Sequence, residues 1–276
     1  MKGKRYLYII GDILGILGAS IIFIIPFAFM LLNSLKDRRS ANQLSLSLPQ
    51  EWHWENFLEV LQTGDYQIVT AFKNSIILVI GSVFFLIILG SMGGYVMQRR
   101  KDRTMSIINA CLMTGLMVPA AILPTIWVLK SIGIYKSLFS MIMIETALNL
   151  PFTIMLYRGF VSSVPVELEE AAYIDGCGRW RIFKSIVFPL LKPVTATIII
   201  IKAVTVFNDF TNPLYFLPGA KNATVQLTLY NFMGQFESSY HLLFADVILI
   251  TIPMLLLFLF FNKRIIDGMV AGAVKG

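Results

Sequence analysis

Charged residues, cysteine and histidine are all scarce in this sequence. Asp, Glu, Lys and Arg make up 14% of its 276 residues, whereas a soluble globular domain carries about 25%. The two cysteines, Cys111 and Cys177, fall in an apolar segment and in a polar loop, so we expect no disulfide between them. The two histidines, His53 and His241, are far apart in the chain, and no metal-ligand or Ser/His/Asp pattern is present. These absences disfavour a soluble protein and disfavour an enzyme.

Long apolar runs are abundant instead. Hydrophobic residues make up 57% of the chain, and its mean hydropathy is +0.73. A helix needs about 20 mostly apolar residues to cross a bilayer. Six such runs occur, at residues 8–32, 71–97, 105–129, 138–160, 194–217 and 242–261. The runs are too continuous for transmembrane β-strands, so the sequence predicts an all-α membrane protein with six transmembrane helices in a single domain, residues 1–276.

The distribution of basic residues predicts the orientation of these helices. The formal net charge of +7 is compatible with nucleic-acid binding, but its pattern fits membrane topology better. Lys and Arg total 15 in the two terminal segments and in residues 98–104 and 158–193, and six in the segments on the other side. Because cytoplasmic loops carry the excess of Lys and Arg, we expect both termini in the cytoplasm, lipid as the surroundings and no nucleic-acid partner.

Glycine spacing predicts close contacts between helices. Gly11, Gly15 and Gly18 share one face of the first run, and Gly90 and Gly94 share one face of the second. Small residues let helices approach closely in lipid, where apolar side chains gain nothing by leaving the acyl chains. We expect both faces to be helix contacts, either within the chain or with a partner.

The polar segment between the fourth and fifth runs, residues 161–193, predicts two short helices outside the bilayer. Pro165 suits the first position of a helix, and Glu167, Glu169 and Glu170 are favourable near the positive end of its dipole. Gly176 can take the left-handed conformation that ends a helix. The first helix therefore covers the acidic half of the segment.

The second half of this segment has an apolar stripe. Trp180, Phe183 and Val187 recur at helical spacing, so we expect a second helix lying along the inner membrane surface. In the first helix, the small side chains of Ala171 and Ala172 let a partner backbone approach. From composition alone, a plain interfacial connector would be the simpler interpretation.

The order of residues favours a partner-binding loop over a connector. Glu170-Ala171-Ala172 is followed by Gly176, then by Ile186, and then by Phe188-Pro189. This spacing resembles the cytoplasmic EAA loop of ABC importer permeases, E-A-A, three residues, G, nine residues, I, one residue, L-P. Phe188 stands where leucine is usual and Cys177 where a small residue is usual, and Asp175-Gly176 matches a frequent variant.

The resemblance extends to the carbohydrate group of these permeases, the maltose/oligosaccharide type. It rests on short motifs along most of the chain: residues 74–75, 116–119, 123–124, 150–152, 158–160, 207–210 with 213–214, and the glycine-rich ending, residues 267–276. It implies a type I ABC importer permease fold. It also implies an ATP-driven importer for a carbohydrate, in particular an oligosaccharide, in the cell membrane of a prokaryote.

The resemblance also implies partners and site residues. Two homologous permease subunits form the pathway, two cytoplasmic ATPase subunits receive the EAA loops, and a sugar-binding protein delivers the solute. The residues implied to couple to the ATPase are Glu170, Ala171, Ala172, Asp175, Gly176 and Pro189. The chain has no glycine-rich phosphate loop, so ATP and Mg²⁺ are expected on the partner subunits and no cofactor on this chain.

Polar residues within the apolar runs are candidates for the solute pathway, because such residues are unfavourable in lipid and usually face a cavity or the bundle interior. We select Asn149, Asn208, Asp209 and Asn212, with hydrogen bonding between helices as the alternative role. For Glu145 and Asp246 the structural role is favoured, and Lys202 is a further intramembrane charge that snorkelling would explain.

Two questions stay open at this point. The tail residues Gly272, Lys275 and Gly276 suit either a disordered terminus or a contact with the ATPase dimer.

The EAA loop is shared among importers, so a permease for a non-sugar solute is the main alternative function, followed by a gated channel and a membrane enzyme. The identities of the sugar, of the partner subunits and of the residues that touch the solute do not follow from the sequence.

Overall fold

The structure is a computed structural model that describes residues 2–117, 119–234 and 238–273, and all regular structure in these residues is helical. The α-helices are α1 (Lys2–Ser34), α2 (Arg38–Ala41), α3 (Glu55–Arg99), α4 (Arg103–Met117), α5 (Ile122–Ser131), α6 (Leu138–Val161), α7 (Glu167–Ile174), α8 (Arg179–Ile182), α9 (Phe188–Leu190), α10 (Lys192–Phe207), α11 (Thr211–Phe216), α12 (Val225–Thr228) and α13 (Tyr240–Ala273). A π-helix covers Phe183–Val187, and 3₁₀ turns cover Ala220–Asn222 and Leu229–Asn231.

The described residues form two compact units. One is drawn from residues 1–69 and 228–253, and the other from residues 70–227 and 254–276. In the first unit, Asn56 Nδ2 donates to the carbonyls of Ser34, at 2.8 Å, and Lys36, at 2.9 Å, which fixes the chain after α1. The second unit contains the polar loop and the pathway candidates.

Three described helices are long and apolar enough to cross a membrane by length and composition: α3, α6 and the Tyr240–Phe260 part of α13. Two pairs reach that length only across a bend, α4 with α5 at 114° and Arg179–Leu190 with α10 at 73°, which gives up to five spans. The first predicted run contains a shorter apolar helix, Gly18–Ser34. The prediction of helices is confirmed, while six spans and cytoplasmic termini stay predictions.

The third predicted run, residues 105–129, is not one straight helix. Helix α4 ends at Met117 and α5 begins at Ile122, with the two axes 114° apart. Pro119 lies between them, and a proline cannot donate a helical hydrogen bond and clashes with the preceding turn. Pro124 lies in the first turn of α5, where a missing N–H is tolerated.

The fifth predicted run, residues 194–217, is also interrupted. Helix α10 ends at Phe207, and α11 begins only at Thr211. Pro213 has no N–H to continue the ladder, and the Asp209 side chain accepts the backbone N–H of Asn212 at 3.2 Å. Local side-chain bonds of this kind compete with helix formation, so the chain breaks at the polar cluster.

Helix α6 is the central element of the second unit. The Ser137 side chain accepts the N–H of Ser140 at 3.1 Å and so caps its first turn. Helix α6 packs against α4, α10 and α11, and α3 approaches it through glycine. A Cβ added at Gly94 would lie 2.6 Å from Tyr157 Cβ, and one at Gly90 would lie 2.5 Å from Thr153 Cγ2. The contact face predicted for Gly90 and Gly94 is therefore confirmed, within the chain.

Replacing Gly94 by alanine is expected to separate α3 from α6. The added methyl would also lie 2.8 Å from the backbone nitrogen of Arg158, which cannot move without moving the helix. Overpacking of this kind destabilises by about 1–3 kcal/mol, so we expect a lower midpoint of thermal unfolding in detergent. Gly18→Ala is the matched control, because a Cβ there meets nothing within 4 Å. Equal midpoints for the two variants would contradict the tight contact.

Candidate functional site

The first helix of the polar loop forms as the sequence predicts, with a small shift at its start. Helix α7 begins at Glu167, two residues after Pro165, and ends at Ile174. Gly176 has φ +80°, the left-handed conformation that ends a helix. The N–H of Cys177 donates to the carbonyl of Ala172 at 2.9 Å, which closes the turn. The prediction that Gly176 ends this helix is confirmed, and its part in coupling to an ATPase stays a prediction.

The two alanines of the motif face in different directions. Ala172 is buried in a core with Tyr157, Val161 and Val164 at the end of α6, whereas Ala171 is exposed. The interpretation that both alanines face a partner is therefore wrong for Ala172. Its small side chain instead lets α7 lie close against α6.

The second half of the loop is one continuous helical stretch, residues 179–190, in which the π-helix lies between α8 and α9. The N–H of Phe188 donates to the carbonyl of Phe183, a five-residue step that precedes Pro189. Phe183 and Val187 are buried in the core that holds Ala172, and Trp180 is exposed. The predicted stripe therefore packs mainly inside the protein, against the end of α6, and of its three residues only Trp180 is free for the membrane surface.

A buried ion pair fastens α7 to the end of α3. Arg99 Nε and Nη2 donate to Glu169 Oε1 at 2.8 and 2.7 Å, and Tyr95 Oη donates to Glu169 Oε2 at 2.7 Å. Arg99 Nη2 also donates to the carbonyl of Val164 at 2.8 Å. The side chains of Arg99 and Glu169 are 18% and 12% exposed, so this charge-assisted cluster is largely shielded from water.

The exposed surface of α7 carries both charge and apolar area. Glu170, Asp175 and Pro189 are exposed. Tyr173 and Ile174 are 70% and 84% exposed, and they are not among the residues predicted to contact a partner. They occupy the unspecified positions of the motif, and large apolar side chains exposed beside an acidic residue are the signal that would have found them.

A cleft of about 970 Å³ opens beside this helix. Its walls include Arg99, Arg100, Glu170, Tyr173 and Arg179. Both signs of charge and an aromatic ring therefore line a surface that is accessible from outside the chain. An arrangement of this kind suits a protein partner better than a small metal ion.

A second polar cluster lies between α6 and α10. Lys202 Nζ donates to Asn149 Oδ1 at 3.0 Å and lies 4.4 Å from the ring centroid of Phe152. Asn149 Nδ2 donates to the carbonyl of Glu145 at 2.9 Å and to its Oε2 at 3.1 Å. Lys202 and Glu145 are 6% and 2% exposed. The ammonium is thus held inside the protein rather than extended to an interface, contrary to the snorkelling interpretation.

The break after α10 joins this cluster. Asn212 Nδ2 donates to Asp209 Oδ2 at 2.6 Å, and the Asp209 carboxyl lies beside that of Glu145. Asn208 is exposed and accepts from Gln226 Nε2 at 3.2 Å. The structure therefore brings Asn149, Asp209 and Asn212 to one cluster and directs Asn208 to a separate contact.

The remaining candidates are outside this cluster. Asp246 is buried in the other unit and accepts from Thr228 Oγ1 at 2.8 Å, which fits the structural role expected for it. Gly272 lies in the last turn of α13, and Lys275 and Gly276 lie outside the described residues. Among the described residues, no group of three or more His, Cys, Asp and Glu side chains is placed to hold a metal ion.

Comparison with known proteins decides the family. Residues 86–270 match the family described as "Binding-protein-dependent transport system inner membrane component". The chain belongs to this family. Its members are ABC transporter permease subunits, which are not themselves enzymes. The matched region contains the polar loop, the ion pair of α7 and both polar clusters.

Curated relatives and a solved structure agree with this assignment. The chain is 35% identical to the melibiose/raffinose/stachyose import permease protein MelC of Bacillus subtilis over 255 residues, 91% of each chain. It is 30% identical to the multiple sugar-binding transport system permease protein MsmG of Streptococcus mutans over 261 residues, 92% of this chain and 93% of MsmG. A bacterial ABC transporter that imports the acidic polysaccharide alginate shares the fold, with a TM-score of 0.82, 19% identity, and 95% and 98% of the chains covered.

Proposed function

We propose that this chain is a membrane-spanning permease subunit of an ATP-driven importer for a carbohydrate, in particular an oligosaccharide. The observation that carries the proposal is the EAA-type helix α7, bonded through Glu169 to α3. The similarity to MelC and MsmG along nine-tenths of the chain supports sugar as the solute. A permease for a non-sugar solute is not favoured by these relatives.

Helix α7 is proposed to receive force from an ATPase subunit. Its exposed groups, Glu170, Ala171, Tyr173 and Ile174, offer a charge, a close backbone approach and an apolar contact. Because α7 is bonded to α3 and packed on α6, a displacement of α7 moves both long helices together. ATP and Mg²⁺ belong to the ATPase subunits in this scheme, and Asp175, Gly176 and Pro189 shape the loop that transmits the motion.

The solute pathway is proposed to pass the break between α10 and α11. Asn149, Asp209 and Asn212 are polar groups at that break, and amide and carboxylate groups suit sugar hydroxyls. Asn208, which is exposed and accepts from Gln226, is also proposed to line the solute pathway. Inward-facing polar residues in membrane helices are commonly functional, which supports this assignment over a purely structural one.

The proposed assembly contains a second homologous permease, two ATPase subunits and an extracytoplasmic sugar-binding protein, in the cell membrane of a prokaryote. The family description, which names a binding-protein-dependent transport system, supports the last partner. The tail residues Gly272, Lys275 and Gly276 are proposed to contact the ATPase subunits.

Crosslinked copurification tests this assembly. The full-length tagged chain is purified from its native membrane after crosslinking, and its partners are identified by mass spectrometry. We expect a second permease, an ATPase and a binding protein, and titration calorimetry of that binding protein should show affinity for an oligosaccharide such as raffinose. A binding protein that takes an amino acid or phosphate and no sugar would overturn the carbohydrate assignment.

Gly176→Ala is expected to impair coupling because it strains the backbone, without any steric clash of the added methyl group. A Cβ at Gly176 meets nothing within 4 Å, but its φ of +80° is unfavourable for alanine by about 1–2 kcal/mol. Gly178→Ala is the matched control, since a Cβ there is also free and φ is −69°. We expect sugar uptake in proteoliposomes of the assembled transporter to fall roughly tenfold for Gly176→Ala and to stay unchanged for Gly178→Ala. Equal uptake would contradict the role of the turn.

A further inference from the structure

Three exposed lysines meet at the end of α6 that is opposite the polar loop. Lys130 Nζ and Lys136 Nζ lie 5.4 and 5.7 Å from the ring centroid of Tyr135. Lys221 precedes Asn222, whose Nδ2 donates to the carbonyl of Lys136 at 2.7 Å. Helix α6 has 24 residues and rises about 1.5 Å per residue, which is long enough to cross a bilayer. In the predicted topology this basic patch and α7 are therefore on opposite sides of the membrane.

Hydrogen bonds to the backbone fix the positions of these lysines. Tyr135 Oη donates to the carbonyl of Tyr215 at 3.0 Å, and Asn74 Nδ2 donates to the carbonyl of Lys221 at 3.1 Å. With the bond from Asn222, these contacts tie α3, α11 and the two loops into one platform. The backbone segments that carry the lysines are therefore held in place by these bonds.

Lys136 is held in an unfavourable backbone conformation. Its φ is +66°, a region that glycine occupies readily and that other residues rarely adopt. A lysine at such a position destabilises the fold relative to glycine, and residues held in this way concentrate at functional surfaces. The stability of the fold therefore does not explain why a lysine occupies this position.

None of the three lysines forms an ion pair within the described residues. Ion pairs in the described part of the chain join other groups, for example His53 with Glu55, Arg99 with Glu169 and Arg100 with Asp102. Three cations at one exposed site produce a local positive potential, which attracts a partner that carries fixed negative charge.

We propose that Lys130, Lys136 and Lys221 form a docking surface for an acidic patch on the sugar-binding protein. The inference rests on the proposed function, and it adds which residues of this chain contact the binding protein and which charge they carry. Lysines carried on tethered backbone segments, one of them kept at the expense of backbone strain, suit a fixed pattern of carboxylates on a folded protein. Diffusing anionic lipid headgroups need no such arrangement. Charge pairs of this kind raise association rates and give strong salt dependence.

The test uses the assembled transporter in nanodiscs of neutral phosphatidylcholine, with the binding protein recovered by copurification. The concentration of sugar-loaded binding protein that half-maximally stimulates ATP hydrolysis is measured for Lys136→Gly, Lys221→Glu and the exposed-arginine control Arg39→Glu. Each loss of an exposed pair weakens binding about two- to fivefold. We expect that increase for both lysine variants, a weaker salt dependence, and no change for the control.

Lys136→Gly separates docking from folding. Glycine relieves the positive φ, so the melting temperature should stay the same or rise while the half-maximal concentration increases. An unchanged half-maximal concentration in both lysine variants would overturn the proposal. An effect seen only after anionic phosphatidylglycerol is added would also overturn it and assign the patch to lipid. If the same wild-type complexes show no sugar uptake after reconstitution into proteoliposomes, the proposed function fails instead.

Discussion

Replacing Glu169 by glutamine is expected to uncouple sugar uptake from ATP hydrolysis. The carboxylate accepts from Tyr95 and from two nitrogens of Arg99, all of them donors. A glutamine amide has one accepting atom, and its NH₂ group would face a donor. Losing a bond to a charged, mostly buried partner is unfavourable by roughly 2–3 kcal/mol. Helix α7 would then move without moving α3, so the sugar transported per ATP hydrolysed should fall by more than about tenfold.

The measurement is uptake per ATP in proteoliposomes, and the same helix supplies the control. Glu167→Gln makes the same chemical change at an exposed position and should leave the ratio unchanged. Arg99→Lys keeps the charge but loses the forked geometry, so we expect an intermediate ratio. If Glu169→Gln matched Glu167→Gln, the ion pair would have no part in coupling.

The sequence shows Glu169, but it does not show which residue Glu169 binds. Local reasoning places this residue favourably near the start of α7, as it does Glu167. Its partner Arg99 lies 70 positions earlier, and a contact at that separation has no periodicity or spacing to reveal it. The motif residue Gly176 is different, because a helix end in the left-handed conformation is a local property that one glycine specifies.

The apolar runs show the same limit. A run of apolar residues predicts that α6 forms. The spacing of Gly90 and Gly94 predicts that one face of α3 lies close to another helix. Hydropathy alone does not show the break at Pro119 or the end of α10 before Asp209 and Pro213, although the prolines themselves mark places where a helical hydrogen bond is lost. Hydropathy measures affinity for lipid, whereas these breaks depend on which backbone groups can form hydrogen bonds.

The sequence likewise does not predict what covers the buried side chains of the polar loop. Ala172, Phe183 and Val187 fill a core with the end of α6, although a small pair and an apolar stripe also fit a partner or a membrane surface. Amphipathicity predicts that one face is covered, and only the fold decides what covers it. The exposed residues Tyr173 and Ile174 are then the apolar part of α7 that is left for the partner.

Replacing Lys202 by methionine is expected to destabilise the chain. The ammonium is 6% exposed and is held by Asn149 and by the ring of Phe152. Methionine cannot donate to Asn149 Oδ1, and a buried acceptor left without its donor is unfavourable by about 1–3 kcal/mol. We expect a much lower yield of folded protein in detergent and a lower midpoint of thermal unfolding.

A second substitution should reverse part of this loss. Glu145→Gln removes the carboxyl group nearest to the lost ammonium and retains an amide oxygen for Asn149, so the double variant Lys202→Met/Glu145→Gln should unfold at a higher midpoint than Lys202→Met alone. A buried carboxyl group without a cation is unfavourable, and a neutral amide is not subject to that penalty. Lys192→Met, at the exposed start of α10, removes the same charge and should have little effect. If the double variant were as unstable as Lys202→Met alone, the cluster would depend on the lysine for packing rather than for charge, and its contribution to the pathway would have to be sought in Asp209 and Asn212.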